Sequence, residues 1–168
     1  LAPLLLLPLA RATRSDAWRA FGLRGETITR LAVVSTEGEH ILYAETATGL
    51  WRRRAGVADP TWQRVDHGLP RAAGLRLGGP AIAAWRPVPG RPQQLYALTG
   101  EGAARQLYRT DDGGETWRSV GPAPGQTAHP ALAIVPGAAG AADLVVIATE
   151  NRLQRSLDGG ATWAPGGP

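Results

Sequence analysis

The sequence predicts an all-β fold built from about three tandem four-stranded antiparallel units. Three observations carry that expectation. Tryptophan recurs at Trp18, Trp62, Trp117 and Trp163, at spacings of 44, 55 and 46 residues. Two eight-residue stretches, Thr110–Trp117 and Ser156–Trp163, share the pattern [S/T]-x-D-x-G-x-T-W. Gly (22) and Pro (14) together make up about a fifth of the 168 residues, well above average usage, which suits short strands and tight turns. A repeat of this length matches one blade of a β-propeller, in which each unit supplies a four-stranded sheet.

Registering the chain on the tryptophans aligns the other columns. The innermost strand of each unit is apolar: Leu31-Ala32-Val33, Ile82-Ala83-Ala84 and Leu132-Ala133-Ile134. Such a run is expected where a strand is packed on both faces. The second strand reads Leu42-Tyr43-Ala44, Leu95-Tyr96-Ala97 and Val146-Ile147-Ala148, and Thr46, Thr99 and Thr149 follow close behind. The third is Leu50-Trp51-Arg52, Leu107-Tyr108-Arg109 and Leu153-Gln154-Arg155, an alternation that gives one wetter side. The next tryptophan marks the outer strand. These columns place blades at approximately 23–65, 75–120 and 128–165, preceded by an extra outer strand around Trp18. No stretch sustains a 3.6-residue apolar period, so no helix is expected.

The turn between third and outer strands has a physical logic. Asp112 and Asp158 can accept bonds from nearby backbone N–H groups. Gly113, Gly114, Gly159 and Gly160 allow positive φ. The hydroxyls of Thr110, Thr116, Ser156 and Thr162 add local bonds, and Trp117 and Trp163 can bury a ring between neighbouring sheets. In the first unit only Thr61-Trp62 remains of this pattern, with Arg53 in the place of Thr110 and Ser156.

Residues 1–12 read as a leader. Leu1–Ala10 is apolar, too short to span a bilayer, and Ala10-Arg11-Ala12 resembles a cleavage site after Ala12. Residues 13–168 then form the blades, and a secreted or periplasmic location is expected. Net charge is +4 and all 18 basic residues are Arg. With no Lys beside abundant Ala, Gly and Pro, the pI of 10.6 is partly compositional. A nucleic-acid partner would want a clustered basic stripe with interleaved aromatics, which is missing. There is no Cys, hence no disulfide framework and no thiolate metal site. No transmembrane segment and no cofactor are expected.

Candidate site residues are few. Asp111, Asp112 and Asp158 lack the spacing of a calcium loop and read as turn builders. His40, His67 and His129 are scattered, so no metal site is expected. In the Arg52-Arg53-Arg54 run, alternation puts Arg52 and Arg54 on one face. These two are the candidates for an anion or glycan contact; a solvated outer strand is the plain alternative. Glu37, Glu39, Glu45, Asp59, Asp66 and Glu101 fall on turns or strand ends, and nothing in their spacing selects an acid–base pair for glycoside hydrolysis. No catalytic residue is assigned.

The combined pattern resembles the BNR/Asp-box family of propellers, whose members include sialidases, family 74 xyloglucanases, sortilin-like domains and photosystem II assembly factors. Ile82–Trp117 is most similar to the last three of these, through Gln94-Leu95-Tyr96-Ala97, Leu107-Tyr108-Arg109 and Thr110-Asp111-Asp112-Gly113-Gly114. The resemblance covers residues ~13–168 and implies that the Asp boxes sit on an outer rim as fold elements, away from the ligand face. Sialidases also carry an Arg-Ile-Pro motif, which this sequence lacks; Arg86-Pro87 and Arg91-Pro92 are assigned to the turn between first and second strands. The two acidic residues of the xyloglucanases have no counterpart in the columns. The function expected is therefore a non-catalytic secreted or envelope scaffold that binds protein or glycan. Alternatives are a piece of a glycoside hydrolase of the family 74 or sialidase-like kind, and a photosystem II assembly factor-like protein. Because closed propellers use roughly 4–8 blades, three blades imply further blades or self-association to close a ring.

Overall fold

A computed structural model describes residues 22–56, 61–71, 81–125, 130–149 and 152–166. Trp18, the leader, Asp59 and His129 lie outside the described residues. The chain forms three four-stranded antiparallel sheets, each in sequence order. Sheet 1 contains β1 (Ile28–Thr36), β2 (Glu39–Thr46), β3 (Gly49–Arg54) and β4 (Gln63–Arg64). Sheet 2 contains β5 (Ile82–Val88), β6 (Arg91–Thr99), β7 (Gln106–Thr110) and β8 (Arg118–Pro122). Sheet 3 contains β9 (Ala131–Val135), β10 (Leu144–Ala148), β11 (Leu153–Ser156) and β12 (Ala164–Pro165). One short 3₁₀ turn, Gly102–Ala104, interrupts the strand pattern. No helix among the described residues is long and apolar enough to cross a membrane. The three described repeat tryptophans sit just before the outer strand and not within it: Trp62 precedes β4, Trp117 precedes β8, and Trp163 precedes β12.

Register shows which columns recur and corrects one: Ile147 pairs with Leu132 as Ala44 pairs with Leu31, so Val145, Val146 and Ile147, and not Val146, Ile147 and Ala148, take the place of Leu42, Tyr43 and Ala44. In sheet 1 Leu31 pairs with Ala44 and Val33 with Leu42; in sheet 2 Trp85 pairs with Ala97 and Pro87 with Leu95; in sheet 3 Leu132 pairs with Ile147 and Ile134 with Val145. Because side chains alternate across a strand, each pairing fixes which residues share a face. Two apolar cores result, one between each pair of neighbouring sheets. Val34, Ile41, Tyr43, Leu50 and Val65 of sheet 1 pack against Trp85, Leu95, Ala97 and Trp117 of sheet 2. On the other side of sheet 2, Ala84, Val88, Tyr96, Leu98 and Leu107 pack against Leu132, Ile134, Val145 and Ile147 of sheet 3. The architecture is that of three propeller-like blades stacked face to face.

Two further expectations are corrected. First, the apolar inner strands are packed on both faces only in sheet 2. In β1, Leu31 is 60% exposed and Val33 57%, and in β9 Val135 is 53% exposed. The apolar character of these strands belongs to a face that no described residue covers. Second, Arg86-Pro87 and Arg91-Pro92 lie in β5 and β6 and not in the turn joining them. That turn is the two-residue Pro89-Gly90 link, and β5–β6 pairing is irregular beside it, between Pro87 and Val88.

Candidate functional site: the turns, the clamps and the loop-end cleft

The two patterned turns are superposable networks. Thr110 Oγ1 donates to Asp112 Oδ1 at 2.6 Å and accepts from the Gly114 N–H at 2.9 Å. Asp112 accepts from the Thr116 N–H at 3.0 Å and from the Thr116 hydroxyl at 2.5 Å. Ser156, Asp158, Gly160 and Thr162 repeat every one of these bonds. Burial works to raise the Asp112 carboxyl, but donors from Thr110, Thr116 and the backbone overcome it and hold the group down to about 2. Bonds from Ser156 and Thr162 lower Asp158 still further. The carboxylates are thus saturated acceptors, with their charge spent inside the turn. Gly114 has φ +94° and a Cβ there would stand 2.6 Å from the Val65 carbonyl oxygen. At Gly160 (φ +106°) a Cβ would collide with Leu107 Cδ2. Both glycines let a turn close on the sheet before it.

What the turns do is hold blades together. Trp117 Nε1 donates to the Val65 carbonyl at 2.9 Å, from sheet 2 to sheet 1. Trp163 packs against the second core, though its buried Nε1 has no acceptor among the described residues. The Gly113 N–H reaches the Gln93 carbonyl at 2.7 Å and the Gly159 N–H the Asp143 carbonyl at 3.1 Å, tying each turn to the start of its own second strand. Asp111 and Asp112 line a hollow of about 240 Å³ together with Arg109 and Arg118, and no group of three or more His, Asp or Glu positioned for a metal ion exists among the described residues.

Arg52 belongs to the same machinery. Its Nη1 donates to the Asp112 and Gly113 carbonyls at 3.0 and 3.3 Å, and its Nη2 reaches Glu115 at 2.9 Å. The side chain is only 11% exposed. Arg52 thus clamps sheet 1 onto the turn of sheet 2, whereas Arg54 is largely exposed and pairs with Glu39 at 3.2 Å. The two share a face, opposite Tyr43 and Ile41, as alternation requires. Sequence columns did not reveal the equivalent joints made by phenols. The Tyr43 hydroxyl donates to the Pro92 carbonyl at 2.7 Å, and the Tyr96 hydroxyl donates to Asp143 at 2.9 Å. Asp143 is 1% exposed, and it also pairs with Arg91 at 3.0 Å and accepts from the Gly137 N–H at 3.0 Å. Burial pushes both phenols up to about 12, so they remain donors throughout the physiological range. The signal was present in the Leu-Tyr-Ala column, where a polar tip sat in an otherwise apolar strand.

The candidate carboxylates are scattered by the fold. Asp66 is fully buried and forked by Arg64 at 2.8 and 3.0 Å, and Arg64 also bonds the Thr48 carbonyl. Glu45 accepts from Trp85 Nε1 at 2.6 Å and lies 3.5 Å from Arg30. Burial raises its carboxyl above the usual range against the pull of Arg30 and the indole N–H. Glu37 occupies the exposed β1–β2 turn. Glu101 lies elsewhere, in a cleft of about 470 Å³ between the β6–β7 end of sheet 2 and the chain at Pro70, Arg71 and Ala81.

That cleft is the best candidate for a binding site. Its lining includes Arg71, Thr99, Glu101, Gln106 and Tyr108, with Pro70 and Ala104 as apolar members. The cleft sits at the Thr99 end of β6, while the patterned turn is tied to the opposite end at Gln93. Beneath the 3₁₀ turn the Arg105 side chain is buried, and burial lowers its pKa. A second cleft, of about 420 Å³, opens at the inner strands between Arg30, Leu31, Ala32, Trp85 and Arg86. The chain matches no protein-family model and no curated protein. The geometry of the cleft itself therefore carries the functional argument.

Proposed function

We propose that the chain is a non-catalytic binding module, outside the cytoplasm, whose loop-end cleft engages a glycan or a segment of another protein. The supporting observation is the composition of the cleft at Thr99–Tyr108. A guanidinium, a carboxylate, an amide, a hydroxyl and a phenol ring converge on a partly apolar hollow of about 470 Å³. Dense, mixed donors and acceptors beside an aromatic face suit hydroxyl-rich sugars and extended peptide backbones. Among the described residues one carboxylate, Glu101, lines it, whereas hydrolysis of a glycoside needs two flanking the scissile bond. The extracytoplasmic part of the reading rests on the apolar Leu1–Ala10 run and the Ala10-Arg11-Ala12 pattern.

Calorimetric titration with a panel of neutral and acidic oligosaccharides and of peptides tests this. A ligand of the site is expected to bind without turnover. Its affinity should fall about tenfold or more, equivalent to ~1.4 kcal/mol, in Glu101→Gln and in Tyr108→Ala. Release of reducing sugar, abolished by Glu101→Gln, would replace this reading with that of a glycoside hydrolase. Binding unchanged in both variants would remove the cleft from the account.

A further inference from the structure

We infer that the Asp158–Gly159 bond of sheet 3 is a site of spontaneous isoaspartate formation in the folded chain, and that Arg52 shields the matching Asp112–Gly113 bond of sheet 2. Both patterned turns contain an Asp-Gly pair. A glycine nitrogen has no side chain beside it to hinder attack on the preceding residue. In an opened turn that nitrogen attacks the Cγ of the neutral aspartic acid. A C–N bond forms, a C–O bond breaks, and the carboxyl hydroxyl leaves with the amide proton as water. Water then opens the five-membered succinimide. Addition at the side-chain carbonyl restores aspartate, whereas addition at the main-chain carbonyl leaves the backbone running through Cβ and Cγ. Water is the sole co-reactant, and nothing is oxidised or reduced. The product has one more carbon in its backbone and a shorter side chain, so the Ser156–Trp163 network cannot close again as built, and the opening becomes irreversible.

While closed, both turns block the first step. The Gly113 N–H is held by the Gln93 carbonyl at 2.7 Å and the Gly159 N–H by the Asp143 carbonyl at 3.1 Å. Each carboxylate is kept ionised by donors of its own turn, and is then a poor electrophile. Asp158 is lowered further than Asp112, so carboxyl chemistry does not make it the weaker site. Reaction has to pass through a locally opened turn, and its rate follows the free energy of that opening.

The ties that resist opening differ between the two. Arg52 Nη1 donates to the Asp112 carbonyl at 3.0 Å and the Gly113 carbonyl at 3.3 Å, and Nη2 reaches Glu115 at 2.9 Å. The Asp112–Gly113 peptide is thus gripped on both sides, its C=O by Arg52 and its N–H by Gln93. Trp117 adds its bond to Val65 at 2.9 Å. In sheet 2 the Arg52 position is held by Arg109, paired with Tyr96 as Arg52 is with Tyr43. Arg109 is drawn back to Asp111, at 2.9 and 2.6 Å, and to the Tyr96 hydroxyl at 3.1 Å. Ala161 stands where the first turn has Glu115, so this turn offers a guanidinium no carboxylate there. Among the described residues no side chain donates to the Asp158 or Gly159 carbonyl, and Trp163 Nε1 finds no acceptor. Leu157, next to the reacting pair, is 69% exposed.

Ageing the full chain at neutral pH, folded in buffer and unfolded in urea, tests the inference. Isoaspartate is labelled by enzymatic methylation and located after trypsin, which puts the two turns in separate peptides, Thr110–Arg118 and Ser156–Pro168. At each site the rate in urea divided by the rate in buffer measures the protection that folding gives, free of intrinsic differences between the sites. Protection should be at least about fivefold greater at Asp112 than at Asp158. Arg52→Met keeps the apolar stem and loses the donors. In a variant shown to be folded by circular dichroism, it should raise the rate at Asp112 at least about fivefold and leave Asp158 unchanged. Equal protection at the two sites, or greater protection at Asp158, overturns the inference. So does a folded chain that forms no isoaspartate at Asp158 while the unfolded chain reacts. A rise at both sites together in Arg52→Met would show that global unfolding, and not the opening of one turn, is the route, which also overturns it.

Discussion

At the scale of the residue, the acid turns concentrate most of the local chemistry. Asp112 accepts from three donor groups of Thr110 and Thr116 and titrates at about 2 in the folded chain against about 3.8 when unfolded. A carboxyl whose pKa is lowered by folding adds stability that is complete above its unfolded pKa. That stability is lost as pH falls through the folded value. The chain is thus expected to lose stability between about pH 4 and pH 2, as read from urea midpoints across that range. Asp112→Asn should flatten the loss in this window while lowering the midpoint at neutral pH. A pH profile identical in the two proteins would remove the turn carboxylate from the account. Glu45 works in the opposite sense: its raised pKa means that the folded chain takes up a proton before the unfolded chain does as pH falls. Its contribution therefore declines as pH rises through the folded value, a window distinct from that of Asp112.

At the scale of the element, each turn is worth more to its neighbour than to its own sheet. Trp117 is 8% exposed, sits between sheets 1 and 2, and gives its N–H to Val65. Trp117→Ala is expected to cost about 3–5 kcal/mol in urea denaturation. Arg52→Ala removes bonds to two turn carbonyls from a side chain that is largely buried, and about 1.5–3 kcal/mol is expected. Glu115→Ala should cost under ~1 kcal/mol, since that end of the clamp is exposed. Equal losses for Arg52→Ala and Glu115→Ala would mean that the ion pair, not the clamp, is the working part. The elements themselves were legible in the sequence because period-two alternation and turn chemistry repeat three times over. Arg52 was not: alternation gave its face correctly, but its partners lie on a turn some sixty residues on, and no local pattern encodes a contact of that span. The same holds for the buried Asp143, whose partners Tyr96 and Arg91 come from another blade.

At the scale of the whole molecule, the three described sheets share two cores and leave apolar side chains exposed at Leu31 and Val33 of β1 and Val135 of β9. The inner strands read as doubly packed because apolar residues on both faces look the same whether a mate is present or not. Only coordinates separate the covered face of β5 from the open faces of β1 and β9. The loop-end cleft was invisible for a different reason. Its walls come from Arg71, Glu101 and Tyr108, brought together by the ends of β6 and β7, the 3₁₀ turn and the chain that leads into β5, with no motif linking them. Trp117 and Trp163 fasten neighbouring sheets. Indole ¹⁵N–¹H spectroscopy, with the Trp117 signal assigned from its loss in Trp117→Phe, tests this fastening most directly. The Trp117 N–H should exchange slowly with solvent and show cross-peaks to the Val65 methyl groups. A Trp117 indole that exchanges like a free side chain, with no contact to Val65, would contradict the stacking of the blades.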